Sequence, residues 1–375
     1  MNGSFRIGNL FGIPFYINSS WFLVLGFLTL TYGGNLATQF SEELGGILPW
    51  ILGLITALLL FSSVLAHELG HSFVALSQGI EVKSITLFLF GGLASLDRES
   101  KTPAEAFWVA IAGPLVSIVL FVFFIGIYLF TAITGPVGAI IELLAYINLA
   151  LALFNLIPGL PLDGGNILKS IVWKITNNPY KGIIFASRVG QVFGWVAIIY
   201  GLIPTFLLRS FPNFWYILIG LFLLRNAGRS AQYGEIQGVL ADLTAVDAIV
   251  PNNPIVSENL SLREFVNEYI IGKETRNRFL VVDAAGLLLG VIKVDDLKRI
   301  NTSEWPLVQV KELMKPVTKM ETVTTKTPLL EVVSLLEEKP INELIVINEN
   351  AVLVGLIEKA SIRNVLARKE QAKNT

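Results

Sequence analysis

The chain of 375 residues contains no cysteine. That absence excludes disulfides, thiolate metal sites and cysteine nucleophiles. Histidine is nearly missing as well, with two in the whole chain, His67 and His71. Charge is scarce: Asp, Glu, Lys and Arg make up 15% of the residues, against about 25% in an average soluble domain. The formal net charge of −1 leaves no basic surplus, so nucleic acid is not expected as a partner. What fills the chain instead is apolar: 53% of residues, with a mean hydropathy of +0.64.

The scarcity of charge is uneven. Residues 1–230 are apolar, whereas residues 231–375 have the composition of an ordinary soluble protein. The break predicts a membrane domain over 1–230 followed by a water-soluble part. A spanning helix needs about 20 apolar residues, and six stretches qualify, near Tyr16–Gly33, Gly46–Ser77, Ala104–Ile133, Ala139–Leu156, Arg188–Leu207 and Phe211–Leu224. Thr102-Pro-Ala-Glu105 has the pattern of a helix start with a capping box. Residues 81–97, rich in β-branched and aromatic residues and broken by Gly91-Gly92, predict a short β-hairpin at the membrane surface. Met1–Ile17 lacks the features of a signal peptide and predicts a short lead-in lying against the membrane.

Orientation follows from basic residues beside the helices. With the N-terminus in the cytosol, that side collects Arg6, Lys83, Arg98, Lys101, Lys169, Lys174, Lys181, Arg188, Arg225 and Arg229, and the far side holds Arg209 alone. Both termini are then cytosolic. No transit-like leader is present, which favours a prokaryotic plasma membrane.

The soluble part repeats itself over 244–303 and 308–368. Arg278-Phe-Leu-Val-Val-Asp283 with Gly290-Val-Ile matches Glu343-Leu-Ile-Val-Ile-Asn348 with Gly355-Leu-Ile. Each unit of about 60 residues reads as strand, helix, strand, strand, helix. The pair is expected to pack as one pseudo-symmetric body.

Both histidines fall in His67-Glu-Leu-Gly-His71, inside an apolar helix. Residues four apart share a helix face, so both imidazoles reach one ion with Glu68 beside it. Catalytic zinc takes three protein ligands and keeps one position for water. The ion brings that water's pKa to about 7, and Glu68 accepts its proton. Ionisable groups at membrane depth are costly, which argues that a metal offsets them. The third ligand must then be a carboxylate. Asp163, in Asn155-Leu-Ile-Pro-Gly-Leu-Pro-Leu-Asp163-Gly-Gly165, reaches the same side and depth as the histidines under the six-helix topology. Its competing role is a cap for a helix starting near Asn166. Pro158, Pro161, Gly164 and Gly165 leave irregular backbone, tolerated at that depth only when protein-buried or lining a wet cavity. Asn155 either donates to a developing oxyanion or satisfies a neighbouring helix, as Asn148 is expected to.

Together, His67-Glu-Leu-Gly-His71, Gly91-Gly92, Ala112-Gly113-Pro114 and the Asn155-to-Gly165 stretch resemble the site-two protease family of intramembrane metalloproteases. The resemblance extends to its prokaryotic branch with a C-terminal pair of CBS domains, and it covers nearly the whole chain. It implies a polytopic α-helical membrane protein with a short β segment near the active site, plus a C-terminal α/β CBS pair. It implies Zn2+ held by His67, His71 and Asp163, with Glu68 as base and Asn155 assisting substrate or oxyanion binding. Transmembrane segments of other proteins would be the substrates, in regulated intramembrane proteolysis. An edge near Gly91-Gly92 would hold the unwound substrate by strand addition, or residues 81–97 would merely plug the membrane surface.

CBS pairs often bind adenine nucleotides, and Asp296 falls where the family holds the ribose. The preceding hydroxyl position is Lys293, and the second repeat has Glu358 and Ser361 at the two matching places. Packing or homodimerisation through the pair is the alternative role. Two other functions compete for the whole chain, a CBS-gated metal transporter and a membrane scaffold that does not cut. The polar cluster lies on one side of the membrane alone, which disfavours a permeation path, and a scaffold has no use for Glu68.

Overall fold

The first apolar run turns into helix later than its composition predicts, because a hairpin occupies its beginning. A computed structural model describes residues 3–88, 91–131, 133–204, 213–250, 255–272, 277–316, 321–339, 341–350 and 352–373. Strands β1 (Ser4–Leu10) and β2 (Ile13–Asn18) pair antiparallel. They turn at Phe11 and Gly12, whose φ angles are +52° and +85°. The Asn18 side chain then accepts from the Ser20 N–H at 3.0 Å and starts α1 (Ser19–Gln39). Tyr16 and Ile17, expected in the first span, are strand residues facing Thr86 and Leu87.

Helix α2 (Leu48–Ser77) leads into β3 (Val82–Phe88) and β4 (Gly91–Leu96), the antiparallel pair expected there. The four strands form one sheet in the order β1-β2-β3-β4, with β2 parallel to β3. Strand β4 is therefore an edge. Helix α3 (Pro103–Phe130) starts at the expected cap, with Thr102 Oγ1 accepting from the Glu105 N–H. After α4 (Gly135–Asn155) come α5 (Asp163–Thr176), α6 (Pro179–Leu202) and α7 (Phe214–Ala241).

Among the described residues, five helices rather than six are long and apolar enough to cross a membrane: α1, α2, α3, α4 and α6. The sixth stretch begins at Phe211 and Pro212, which lie outside the described residues, and its remainder opens α7, which continues through Arg225, Arg229 and Glu235.

Helix contacts in this part rest on small residues. A Cβ at Gly53 would meet the Gly33 N at 2.6 Å, one at Gly70 the Ala112 O at 3.0 Å, and one at Gly220 the Gly194 O at 2.6 Å. Close backbone approach of this kind is how helices associate where lipid supplies no hydrophobic drive.

The chain divides into two compact units, Met1–Gly234 and Glu235–Thr375. In the second, the first repeat contributes β5 (Ile255–Ser257), α8 (Leu262–Tyr269), β6 (Arg278–Val282) and β7 (Leu288–Lys293). Its closing helix is only a 3-10 turn, Val294–Arg299. The residues that follow, Asn301-Thr-Ser-Glu-Trp-Pro306, are poor helix formers ending in proline. After α9 (Val310–Leu313) and β8 (Lys315–Pro316), the second repeat follows the expected order. It comprises β9 (Thr322–Thr324), α10 (Leu329–Glu338), β10 (Glu343–Ile347), β11 (Leu353–Glu358) and α11 (Lys359–Lys373).

The two repeats exchange their lead-ins. Ala245 and Ala248, at the head of the first repeat, pack with Leu329, Val332 and Ile357 of the second. Val310, at the head of the second, packs with Leu262, Phe265 and Phe279 of the first. A third cluster of Leu280, Val291, Ile345 and Leu356 joins both sheets.

Candidate metal centre

Helix α2 is 30 residues long, and about 20 suffice to cross the hydrocarbon. Counted from Leu48, the twentieth is His67, so the histidine motif lies in the C-terminal half of the helix. His67 is 3% exposed. Its Nε2 lies 3.1 Å from Asp163 Oδ2 and 3.2 Å from His71 Nε2, and His71 Nε2 lies 3.3 Å from the same Asp163 oxygen. Three donors on a tetrahedral ion with bonds of about 2.0–2.1 Å stand roughly 3.3–3.4 Å apart. The cluster fits a single ion of that kind.

The far side of each imidazole is already committed. His67 Nδ1 meets Ser117 Oγ at 2.9 Å, and His71 Nδ1 meets the Val109 carbonyl at 2.7 Å. With Nδ1–H donating in both, each Nε2 keeps its lone pair for the cluster. Both partners come from α3, and that helix also makes the room. A Cβ at Gly113 would stand 2.2 Å from His71 Nε2 and 2.7 Å from His67 Nε2. Ser117 lies one turn beyond Gly113, on the same face. Neither role follows from the sequence, because Ser117 is 50 residues from its histidine and Val109 is 38 from its own. The one available signal was the Ala112-Gly113-Pro114 motif.

Asp163 opens α5, and Leu162 rather than Asp163 holds the cap position. The carboxylate faces the imidazoles and makes no cap bond. The segment that delivers it is folded back tightly. A Cβ at Gly164 would lie 2.3 Å from the Leu156 O, and one at Gly165 lies 2.2 Å from the Leu160 N. The Leu160–Pro161 peptide is cis. The Leu160 N–H is satisfied by the Ala186 carbonyl of α6 at 3.1 Å, which answers the need of buried irregular backbone for partners.

Glu68 stands next to the cluster, against the edge strand. A Cβ at Gly92 would meet Glu68 Cγ at 2.4 Å, so only glycine lets β4 pass this close. His67, Glu68, His71, Asp163, Gly92 and Asn155 all line one cavity of about 600 Å³. Asp296 lies in the second unit, buried, where its carboxylate accepts from the Lys293 N–H at 3.3 Å. Arg299 and Lys315 face it at 3.3 and 3.6 Å.

Residues 55–135 and 129–197 match the model of peptidase family M50, and residues 310–368 match that of the CBS domain. A Synechocystis relative, named "Putative zinc metalloprotease sll0528", is 57% identical over 362 residues, covering 96% of this chain and 95% of its own. The chain belongs to peptidase family M50. A second relative, "Putative zinc metalloprotease Rip3" of Mycobacterium tuberculosis, is 28% identical over 372 residues, covering 98% and 93% of the two chains. Among solved structures, the site-2 protease from Methanocaldococcus jannaschii is 28% identical, covering 61% of this chain and 95% of its own, with a TM-score of 0.42. Family and relatives make this M50 chain an integral membrane zinc metalloprotease carrying a C-terminal CBS domain.

Proposed function

We propose that this M50 chain hydrolyses peptide bonds in or near transmembrane segments of other proteins, with His67, His71 and Asp163 holding one zinc ion. The observation that carries the reading is the trio of donor atoms 3.1–3.3 Å apart at the end of an apolar helix, with Glu68 beside them. Bound there, the ion would acidify the attacking water and polarise the peptide carbonyl. Glu68 takes the proton from that water and hands it to the departing amine. Asn155, on the same cavity wall, donates its amide N–H to the developing oxyanion.

A transmembrane helix shields its peptide bonds with its own hydrogen bonds, so the substrate must unwind before it is cut. The edge strand β4, which lines the cavity through Gly91, Gly92 and Leu93, offers free backbone groups to the unwound stretch. The surplus of Lys and Arg on one side places both termini in the cytosol, and the membrane is read as a prokaryotic plasma membrane.

The CBS pair is proposed to modulate the protease by packing or homodimerisation. An adenine nucleotide at Asp296 is the weaker reading, because Lys293, Arg299 and Lys315 already engage that carboxylate.

Metal analysis beside a cleavage assay tests the site. Glu68→Gln is expected to keep its zinc and lose about 10²–10⁴-fold in cleavage of a transmembrane reporter. Asp163→Ala is expected to lose both metal and activity. Cleavage surviving Glu68→Gln at wild-type rate sinks the assigned base.

A further inference from the structure

Two elements run away from the metal centre and meet again. Along α5, Asp163, Asn166, Lys169 and Trp173 all line the catalytic cavity, at spacings of three, three and four residues that hold them near one helix face. Along β4 and beyond, Gly92 lies against Glu68, and the wall continues through Leu96 to Glu99 and Ser100. The two paths converge where Lys169 Nζ faces Glu99 Oε2 at 3.4 Å.

A second cavity of about 300 Å³ opens at that point. It shares Glu99, Asn166 and Lys169 with the catalytic cavity and adds Arg229, Ser230 and Tyr233 from α7. Among the described residues that line it, two are cationic, Lys169 and Arg229, and Glu99 is the one acid. Glu99 is 68% exposed on its side chain, and an ion pair with so exposed a member is weakly held. An incoming carboxylate can take Lys169 from Glu99 and find Arg229 lining the same cavity. An incoming amine would face both cations.

Resting on the protease reading above, we propose that Lys169 and Arg229 form a recognition site for an acidic side chain of the substrate. The helix sets its distance from the bond that is cut. Asp163 to Lys169 is about 9 Å along the axis at about 1.5 Å per residue. An extended chain covers that in about three residues at roughly 3.3 Å each. A substrate laid between β4 and α5 therefore presents an Asp or Glu about three residues from the scissile bond, on the flank leading to Glu99.

The test uses the full chain in detergent as the Glu68→Gln variant, with fluorescent transmembrane reporter peptides. A single Asp is moved residue by residue through the flank, and each peptide is compared with its Asn counterpart by anisotropy. One position is expected to bind more tightly, by about two- to tenfold, as one or two exposed ion pairs allow. Lys169→Gln with Arg229→Gln removes the preference, and Lys169→Glu with Arg229→Glu transfers it to peptides carrying Lys there. Should the Lys169 variants fail to fold, Arg229→Gln at its exposed position carries the test alone, with a smaller fall. Equal binding at every position overturns the proposal, as does a preference that survives Lys169→Gln with Arg229→Gln. Cleavage of the neutral reporter by the wild-type chain is scored separately. Its absence counts against the protease reading, while the binding preference is still read.

Discussion

Leu23 and Phe130 in the first unit are 75% and 89% exposed, whereas Leu262, Phe265 and Leu329 in the second are sealed from solvent. Glycine stands at the closest helix approaches of the first unit, beside small clusters of leucine and isoleucine, whereas leucine, valine and phenylalanine fill the cores of the second. The reversal follows from the surroundings. Lipid gives apolar side chains no reason to turn inward, so helices meet through their smallest residues. Water drives the same side chains together.

The contrast changes what a buried polar group means. In the second unit, buried Ser361 donates to the Ala248 carbonyl and accepts from the Glu358 N–H, tying down its own turn. In the first, two arrangements of buried polar side chains stand apart. Asn148 donates to Ser63 Oγ at 3.0 Å across α4 and α2. His67 and His71 instead converge on Asp163.

The largest effect is expected where the small-residue rule meets the metal. Gly113→Ala puts a methyl group into the space between the two imidazoles, and bound zinc is expected to fall to almost none by mass spectrometry. Gly126→Ala, in the same helix with open space around it, keeps its metal. Full zinc occupancy in Gly113→Ala would show that the centre has room to spare. Next comes a matched pair of leucines. Leu329→Ala leaves a hole in a water-driven core and is expected to cost about 2–5 kcal/mol of stability in denaturant unfolding. Leu23→Ala, facing outward, is expected to stay within about 0.5 kcal/mol. Equal costs would erase the distinction between the units.

The smallest effect concerns a helix start in the second unit. The Ser261 N–H and hydroxyl both donate to Glu264 at 2.9 and 2.8 Å, holding its carboxyl below the ordinary glutamate value. A lowered folded value stabilises the unit above the ordinary value, and the gain is lost as pH falls through the lowered one. Glu264→Gln is thus expected to lower the melting temperature at pH 7, with the gap to wild type closing as pH drops below about 4.5. A gap that widens in acid contradicts the cap.

The meeting of His67, His71 and Asp163 was legible in the sequence because ligand chemistry leaves few options. With two histidines and no cysteine, a third ligand for a metal would be a carboxylate, and Asp163 stands in a stretch broken by Pro158, Pro161, Gly164 and Gly165. What supports those ligands was hidden, since Ser117, Val109 and Gly113 reach them across α3. The place of the N-terminal hairpin in the sheet was hidden because its pairing with β3 joins residues about seventy positions apart, beyond any local pattern. The closing helix of the first repeat is a 3-10 turn instead, because Asn301, Thr302, Ser303 and Pro306 follow it.

The exchanged lead-ins of the CBS pair reach beyond stability. Deleting either copy strips the survivor of a piece of its own interior, Ala245 and Ala248 in one case and Val310 in the other. Neither half can be dropped, transplanted or duplicated singly without leaving a wound. Only their surfaces are free to change separately, and the two copies must be kept together.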